Sequence, residues 1–85
     1  MNKFFYVYLI TSTRNNKIVS YVGYTKNVKK RLNLHNSGKG AKFTRGCFWK
    51  IIFKKKFESK SSAMKYEYFL KKNYVLRKKI KETHI

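Results

Sequence analysis

Apolar and polar positions alternate in distinct stretches along this chain. Phe4 to Thr11 is rich in aromatic and β-branched residues, which suits a strand. Arg14-Asn15-Asn16-Lys17 interrupts it as a turn, because asparagine tolerates left-handed backbone. Ile18 to Tyr24 reads as a second strand, pairing antiparallel with the first through a loop of several residues. Asn27 is placed to cap a helix over about Val28–Asn36, which Ser37-Gly38 ends. A glycine-containing basic loop runs from Gly38 to Gly46. Phe48 to Phe57 reads as a third strand with three lysines at its far end. Ser59, Ser61 or Ser62 caps a second helix through about Lys72, and a short basic helix follows over about 74–82.

The order is therefore β-β-α-β-α, with one more α. It predicts an α+β fold: a small three-stranded antiparallel or mixed sheet flanked by two to three helices. No linker, repeat or low-complexity segment divides the 85 residues. The expectation is one domain over 1–85, with its core at about 4–72.

Charge narrows the chemistry. Lys and Arg number 22 against three acids, a net +19. The acids are Glu58, Glu67 and Glu82, with no aspartate. Calcium cages, paired-carboxylate glycosidases and two-metal carboxylate clusters all need more acids, closer together. A surface this positive favours a polyanion partner. Leu, Ile, Val and Phe still make up 23 of the 85 residues, enough for a folded core rather than a basic tail. The single cysteine, Cys47, reads as a small apolar filler, and the two histidines have no zinc-site spacing. No apolar run reaches the ~18 residues of a membrane span. The start is faintly signal-like, but Tyr6, Tyr8 and the polar run from Thr11 break it before any small-residue cleavage site, so no secretory leader is expected. A reducing, intracellular, cytoplasmic location without membrane attachment is expected.

Three groups of residues can carry chemistry. Glu67 falls on one helical stripe with Ala63, Leu70 and Tyr74, at i, i+4, i+7 and i+11. A glutamate there is either paired with a cation or sits at the stripe's edge, or it is a divalent-metal ligand. Arg31 and His35, at i and i+4, share a helix face and can bracket a phosphate. Tyr6 and Tyr8 share one strand face, whereas Tyr21 and Tyr24 fall on opposite faces. Most strand tyrosines pack in the sheet, but one beside a phosphate can act as a base or orienter. Trp49 is expected in the core; Phe43 is a candidate for stacking on an unpaired base.

Tyr6-Val7-Tyr8-Leu9-Ile10, Tyr21-Val22-Gly23-Tyr24-Thr25, Arg31 with His35-Asn36, and Tyr66-Glu67-Tyr68 together resemble the GIY-YIG nuclease domain, in its short stand-alone form. The resemblance runs from Tyr6 to about Lys72. Tyr6 stands where the first motif has glycine, and valine replaces isoleucine in both motifs.

The resemblance implies a divalent-metal-dependent DNA endonuclease, selective for structure rather than sequence, with one Mg²⁺ or Mn²⁺ held by Glu67. Arg31 would neutralise phosphoryl charge, and Tyr8 or Tyr21 would position or deprotonate the attacking water. His35 would relay the proton, and Gly23 would be structural. A tyrosine base needs a lowered pKa, which the net positive field with Arg31 and Lys26 is expected to supply. Lys26, Asn36, Lys39, Lys42 and Arg45 are the expected nucleic-acid contacts. The partner is nucleic acid, DNA first, and a protein partner is left open. The alternative is a basic DNA- or RNA-binding module without cleavage.

Overall fold

A computed structural model describes residues 3–83. Strands β1 (Phe5–Arg14) and β2 (Lys17–Thr25) are followed by helix α1 (Val28–Asn36) and a 3₁₀ turn at Lys42–Thr44. Strand β3 (Lys50–Phe57) and helices α2 (Lys60–Lys72) and α3 (Tyr74–Thr83) complete the chain. The sheet order is β2-β1-β3, antiparallel throughout, so the α+β expectation holds with three helices.

The hairpin is tighter than the sequence suggests. Arg14 pairs with Lys17, leaving a two-residue loop. Asn15 and Asn16 both take positive φ (53° and 65°), the backbone of a type I′ turn. That turn matches the twist of its strands, so pairing continues past Thr11, where the apolar pattern fades.

The central strand separates two apolar clusters. Val7 and Leu9 face Val22, Ile52, Ala63 and Leu70, with Tyr66, Leu76 and Ile80 of the helices packed around them. Tyr8 and Ile10 face Val28 and Trp49, with Tyr21 and Leu32 beside them. Thus α2 and α3 cover one face of the sheet and α1 covers the other. The period-2 alternation of β1 divides the two sides, and a register shift between Leu9 and Ile10 leaves Ile52 of β3 as the extra residue in the pairing.

Local caps fix the helix ends. Asn27 accepts the Lys30 amide at 3.0 Å, as expected. Ser59, rather than Ser61 or Ser62, caps α2 by accepting the Ser62 amide at 3.1 Å. Gly38, at φ 81°, carries the chain out of α1.

Two expectations need correction. Strand β3 starts at Lys50, not Phe48. Asn36 clamps the Trp49 backbone, accepting its N–H at 2.6 Å and donating to its carbonyl at 3.1 Å, which takes Trp49 out of the ladder. Tyr74 does not continue the Ala63–Leu70 stripe either; it is 61% exposed, because α2 ends at Asn73 and the α3 axis starts afresh.

Candidate active site

A cleft of about 580 Å³ opens beside β2, lined by Tyr8, Tyr21, Gly23, Lys26, Arg31 and Glu67, with Phe5, Tyr24, Thr25 and Lys60 around them. Residues from β1, β2, α1 and α2 therefore meet in one place. Six of the eleven residues singled out for the site line it.

Tyr8 reaches the cleft because residue 23 lacks a side chain. A Cβ there would stand 2.3 Å from the Tyr8 hydroxyl oxygen. Tyr8 and Gly23 are directly paired across β1 and β2, so the phenol lies over the glycine. The Tyr8 hydroxyl is 2.8 Å from Nε2 of His35, whose Nδ1 is 2.9 Å from Thr44 Oγ1. His35 is 1% exposed and stands behind Tyr8, not in the cleft wall. Burial, and secondly the Arg31 cation, push the His35 pKa below its ordinary value.

The Tyr8 pKa moves opposite to the sequence expectation. Burial raises it well above the ordinary tyrosine range, Tyr21 and Glu67 add to the rise, and Arg31 opposes it without prevailing. Net charge spread over a solvated surface is screened, whereas desolvation acts at the group itself. Tyr8 is therefore a neutral phenol in this state of the protein.

Tyr21 packs edge-on to His35, with ring centroids 5.1 Å apart. The Arg31 guanidinium has no hydrogen bond or ion pair among the described residues, which leaves its fork available to an anion. Of the other arginines, Arg14 donates to the carbonyls of Phe43 (2.6 Å) and Arg45 (3.4 Å) and stacks on Phe43. Arg77 donates to the Leu70 and Lys71 carbonyls that end α2. Both hold backbone rather than face the cleft.

Glu67 lies between Ala63 and Leu70, both fully buried, but at the edge of that stripe; its side chain keeps 19% exposure. Lys71, one turn on, stands 3.7 Å away. The described residues contain no group of three or more His, Cys, Asp or Glu. Among the described residues, no all-protein metal cage is built. One carboxylate facing a cleft fits a hard cation of the Mg²⁺ kind, which keeps waters and takes substrate phosphate oxygens as ligands.

The remaining candidates lie elsewhere. Lys39, Lys42 and Arg45 are exposed on the loop between α1 and β3, outside the cleft. Asn36 is turned to the Trp49 backbone, so its amide serves the loop anchor described above. Trp49 is fully buried, as expected, whereas Phe43 is 46% exposed beside Tyr21. Tyr6, in the glycine position of the first motif, lines a separate shallow groove with Lys26, Asn27 and Lys54, so its side chain does not fill the cleft. Sequence reasoning missed Lys60 at the cleft, and Gly40 and Thr44 around His35. The Gly-Lys-Gly-Ala-Lys-Phe-Thr run marked that loop as basic, and nothing local marks its threonine as buried.

A family model described as the GIY-YIG catalytic domain matches residues 4–81. A UPF0213 protein of Bacillus licheniformis is 47% identical over 66 residues, covering 76% of this chain and 65% of that protein. The chain thus spans slightly under two thirds of that relative's length. The UPF0213 protein YazA of Bacillus subtilis is 41% identical over 85 residues, covering 99% of this chain and 78% of that protein. A solution NMR structure of a UPF0213 protein from Bacillus halodurans is 38% identical, with a TM-score of 0.48, covering 89% of this chain and 79% of that chain.

Proposed function

The chain belongs to the GIY-YIG catalytic-domain family, a nuclease family, and we propose that it is a divalent-metal-dependent DNA endonuclease with Tyr8 as the group that takes the proton from water. The observation that carries this reading is the 2.8 Å contact between the Tyr8 hydroxyl and His35 Nε2, behind the cleft that Tyr8, Arg31 and Glu67 line.

A neutral phenol is a poor base unless its own proton can leave as it accepts another. Tyr8 has such an outlet. As its oxygen takes a proton from the attacking water, its own proton passes to His35 Nε2. Tyr21 has no comparable partner for its hydroxyl among the described residues, so it takes the role of orienting water or phosphate. The uncharged state of His35 depends partly on Arg31. A phosphate seated on the Arg31 guanidinium cancels that repulsion and makes the imidazole a better proton acceptor. Substrate binding and base activation are thereby coupled.

Arg31 binds non-bridging phosphoryl oxygens through its fork and offsets the charge that grows on them. Glu67 would hold one Mg²⁺ or Mn²⁺. When bound there, the cation supplies Lewis-acid polarisation of the phosphoryl group and stabilises the leaving oxyanion. Lys26 and Lys60 at the cleft, with Lys39, Lys42 and Arg45 on the loop, hold the flanking backbone. Contacts of this kind are blind to base sequence, which agrees with selectivity for DNA structure rather than sequence. The test is cleavage of plasmid, flapped and branched DNA with Mg²⁺ or Mn²⁺, and its loss on chelation. Tight binding without cutting on any substrate would support the non-catalytic module instead.

A further inference from the structure

Thr44 lies in the basic loop yet is fully buried. A threonine hydroxyl has one hydrogen to give and two lone pairs to offer. Thr44 Oγ1 has three polar neighbours: the Ala41 carbonyl at 2.9 Å, the Ala41 amide at 3.2 Å and His35 Nδ1 at 2.9 Å. The carbonyl already accepts the Thr44 amide at 3.1 Å, but two oxygens 2.9 Å apart repel unless a hydrogen lies between them, so the Thr44 hydroxyl hydrogen goes there. The amide can only donate and occupies one lone pair. The remaining lone pair faces Nδ1, which must therefore carry a hydrogen. A neutral imidazole has one hydrogen, so Nε2 is bare and accepts from the Tyr8 hydroxyl at 2.8 Å.

We propose that Thr44 is a positioning residue that fixes His35 in the Nδ1–H tautomer, so that Nε2 is free to receive the Tyr8 proton. This rests on the nuclease reading and adds to it a link between the loop and the reacting tyrosine. In the step, the Tyr8 O–H bond breaks, an Nε2–H bond forms, and the tyrosine oxygen gains its proton from water. The resulting imidazolium keeps its Nδ1–H on Thr44. The opposite tautomer would point a hydrogen at the Tyr8 oxygen and close the outlet.

The surroundings hold Thr44 and the ring in place. Trp49 Nε1 donates to the Thr44 carbonyl at 2.8 Å. Gly40 lies flat against the imidazole, where a Cβ would stand 2.3 Å from Nδ1 and 2.9 Å from the His35 Cα. Lys42 flanks Thr44 within the same 3₁₀ turn and Arg45 follows it, so residues suited to bind phosphate are chained to the one that sets the tautomer.

The experiment is ¹⁵N-histidine NMR of the DNA-free protein, with the second histidine removed by His84→Gln for assignment, beside single-turnover cleavage by Thr44→Val and Thr44→Ser. The wild type should show a protonated Nδ1 and a bare Nε2. Thr44→Val should lose that preference and cut about tenfold or more slowly, a share of the gain expected of positioned acid–base groups, with DNA affinity unchanged. Thr44→Ser should restore both. A wild type with hydrogen on Nε2, or a folded Thr44→Val with unchanged tautomer and rate, overturns the inference. Thr44→Ala replaces Thr44→Val if the latter does not fold, and the wild-type nitrogen shifts decide the tautomer without any variant. A wild type with the expected tautomer that cuts no DNA overturns the nuclease reading alone.

Discussion

Gly23 lies beneath the phenol of Tyr8, so close that a methyl group at position 23 would stand 2.3 Å from the hydroxyl oxygen and 2.6 Å from Cζ. Tyr8 cannot retreat, because it is 2% exposed and its hydroxyl is held by His35. Gly23→Ala is therefore expected to displace the phenol from the cleft. A misplacement of about 1 Å can cost about 100-fold in rate, and overpacking costs about 1–3 kcal/mol of stability. Single-turnover cleavage and urea unfolding measure the two effects; wild-type values for both would contradict the packing.

His35 gives the protein a pH-dependent stability with a definite sign. Its folded pKa lies below the unfolded value, so below that value the unfolded chain binds more protons. The contribution is complete above the unfolded histidine pKa of about 6.5 and is lost as pH falls from there toward the folded pKa. Urea midpoints measured from pH 8 to pH 5 should decline through that window in the wild type. In His35→Gln the midpoint should be lower at pH 8 but the decline shallower.

Asn36→Ala separates structure from binding. The substitution removes two hydrogen bonds to the Trp49 backbone. Leaving those groups unpaired should cost about 2–4 kcal/mol, at about 1–2 kcal/mol per bond. Because the amide faces Trp49 and not the cleft, DNA affinity measured at a temperature where the variant is folded should stay within twofold of wild type. A large loss of affinity in a fully folded variant would restore Asn36 as a nucleic-acid contact.

The loop cations should be visible in salt dependence. If about six phosphates are engaged, the log–log slope of affinity against salt for duplex DNA is about −5. Replacing Lys39, Lys42 and Arg45 together with alanine should make it shallower by about 3, at about 0.9 per phosphate contact. Fluorescence anisotropy over a salt series gives both slopes, and equal slopes would place the phosphates elsewhere.

What was legible in the sequence was local, or was the pattern of one element. The Asn15-Asn16 turn, the Asn27 cap and the alternation along β1 depend on neighbours in the chain, and the structure contains them. The convergence of Tyr8, Tyr21, Arg31 and Glu67 was legible only through resemblance to a family, since those residues lie on four different elements. The burial of Thr44, the Asn36–Trp49 clamp and the raised Tyr8 pKa were not legible. Each depends on burial created by long-range packing: 27 positions separate Tyr8 from His35, and 13 separate Asn36 from Trp49. Tyr74 leaves the α2 stripe for a related reason: Asn73 ends α2, and its side chain accepts the Leu76 amide at the start of α3, so helical periodicity does not run through it.

The most direct test of the nuclease account measures cleavage and binding together, in wild type, Arg31→Ala and Glu67→Ala, on one fluorescent branched DNA with Mg²⁺ or Mn²⁺. The account predicts that wild type cuts and that chelator stops it. Glu67→Ala should bind DNA as well as wild type and fail to cut; Arg31→Ala should bind no more than severalfold more weakly and also fail to cut. A wild type that never cuts, or a Glu67→Ala variant that cuts as fast as wild type, would contradict it.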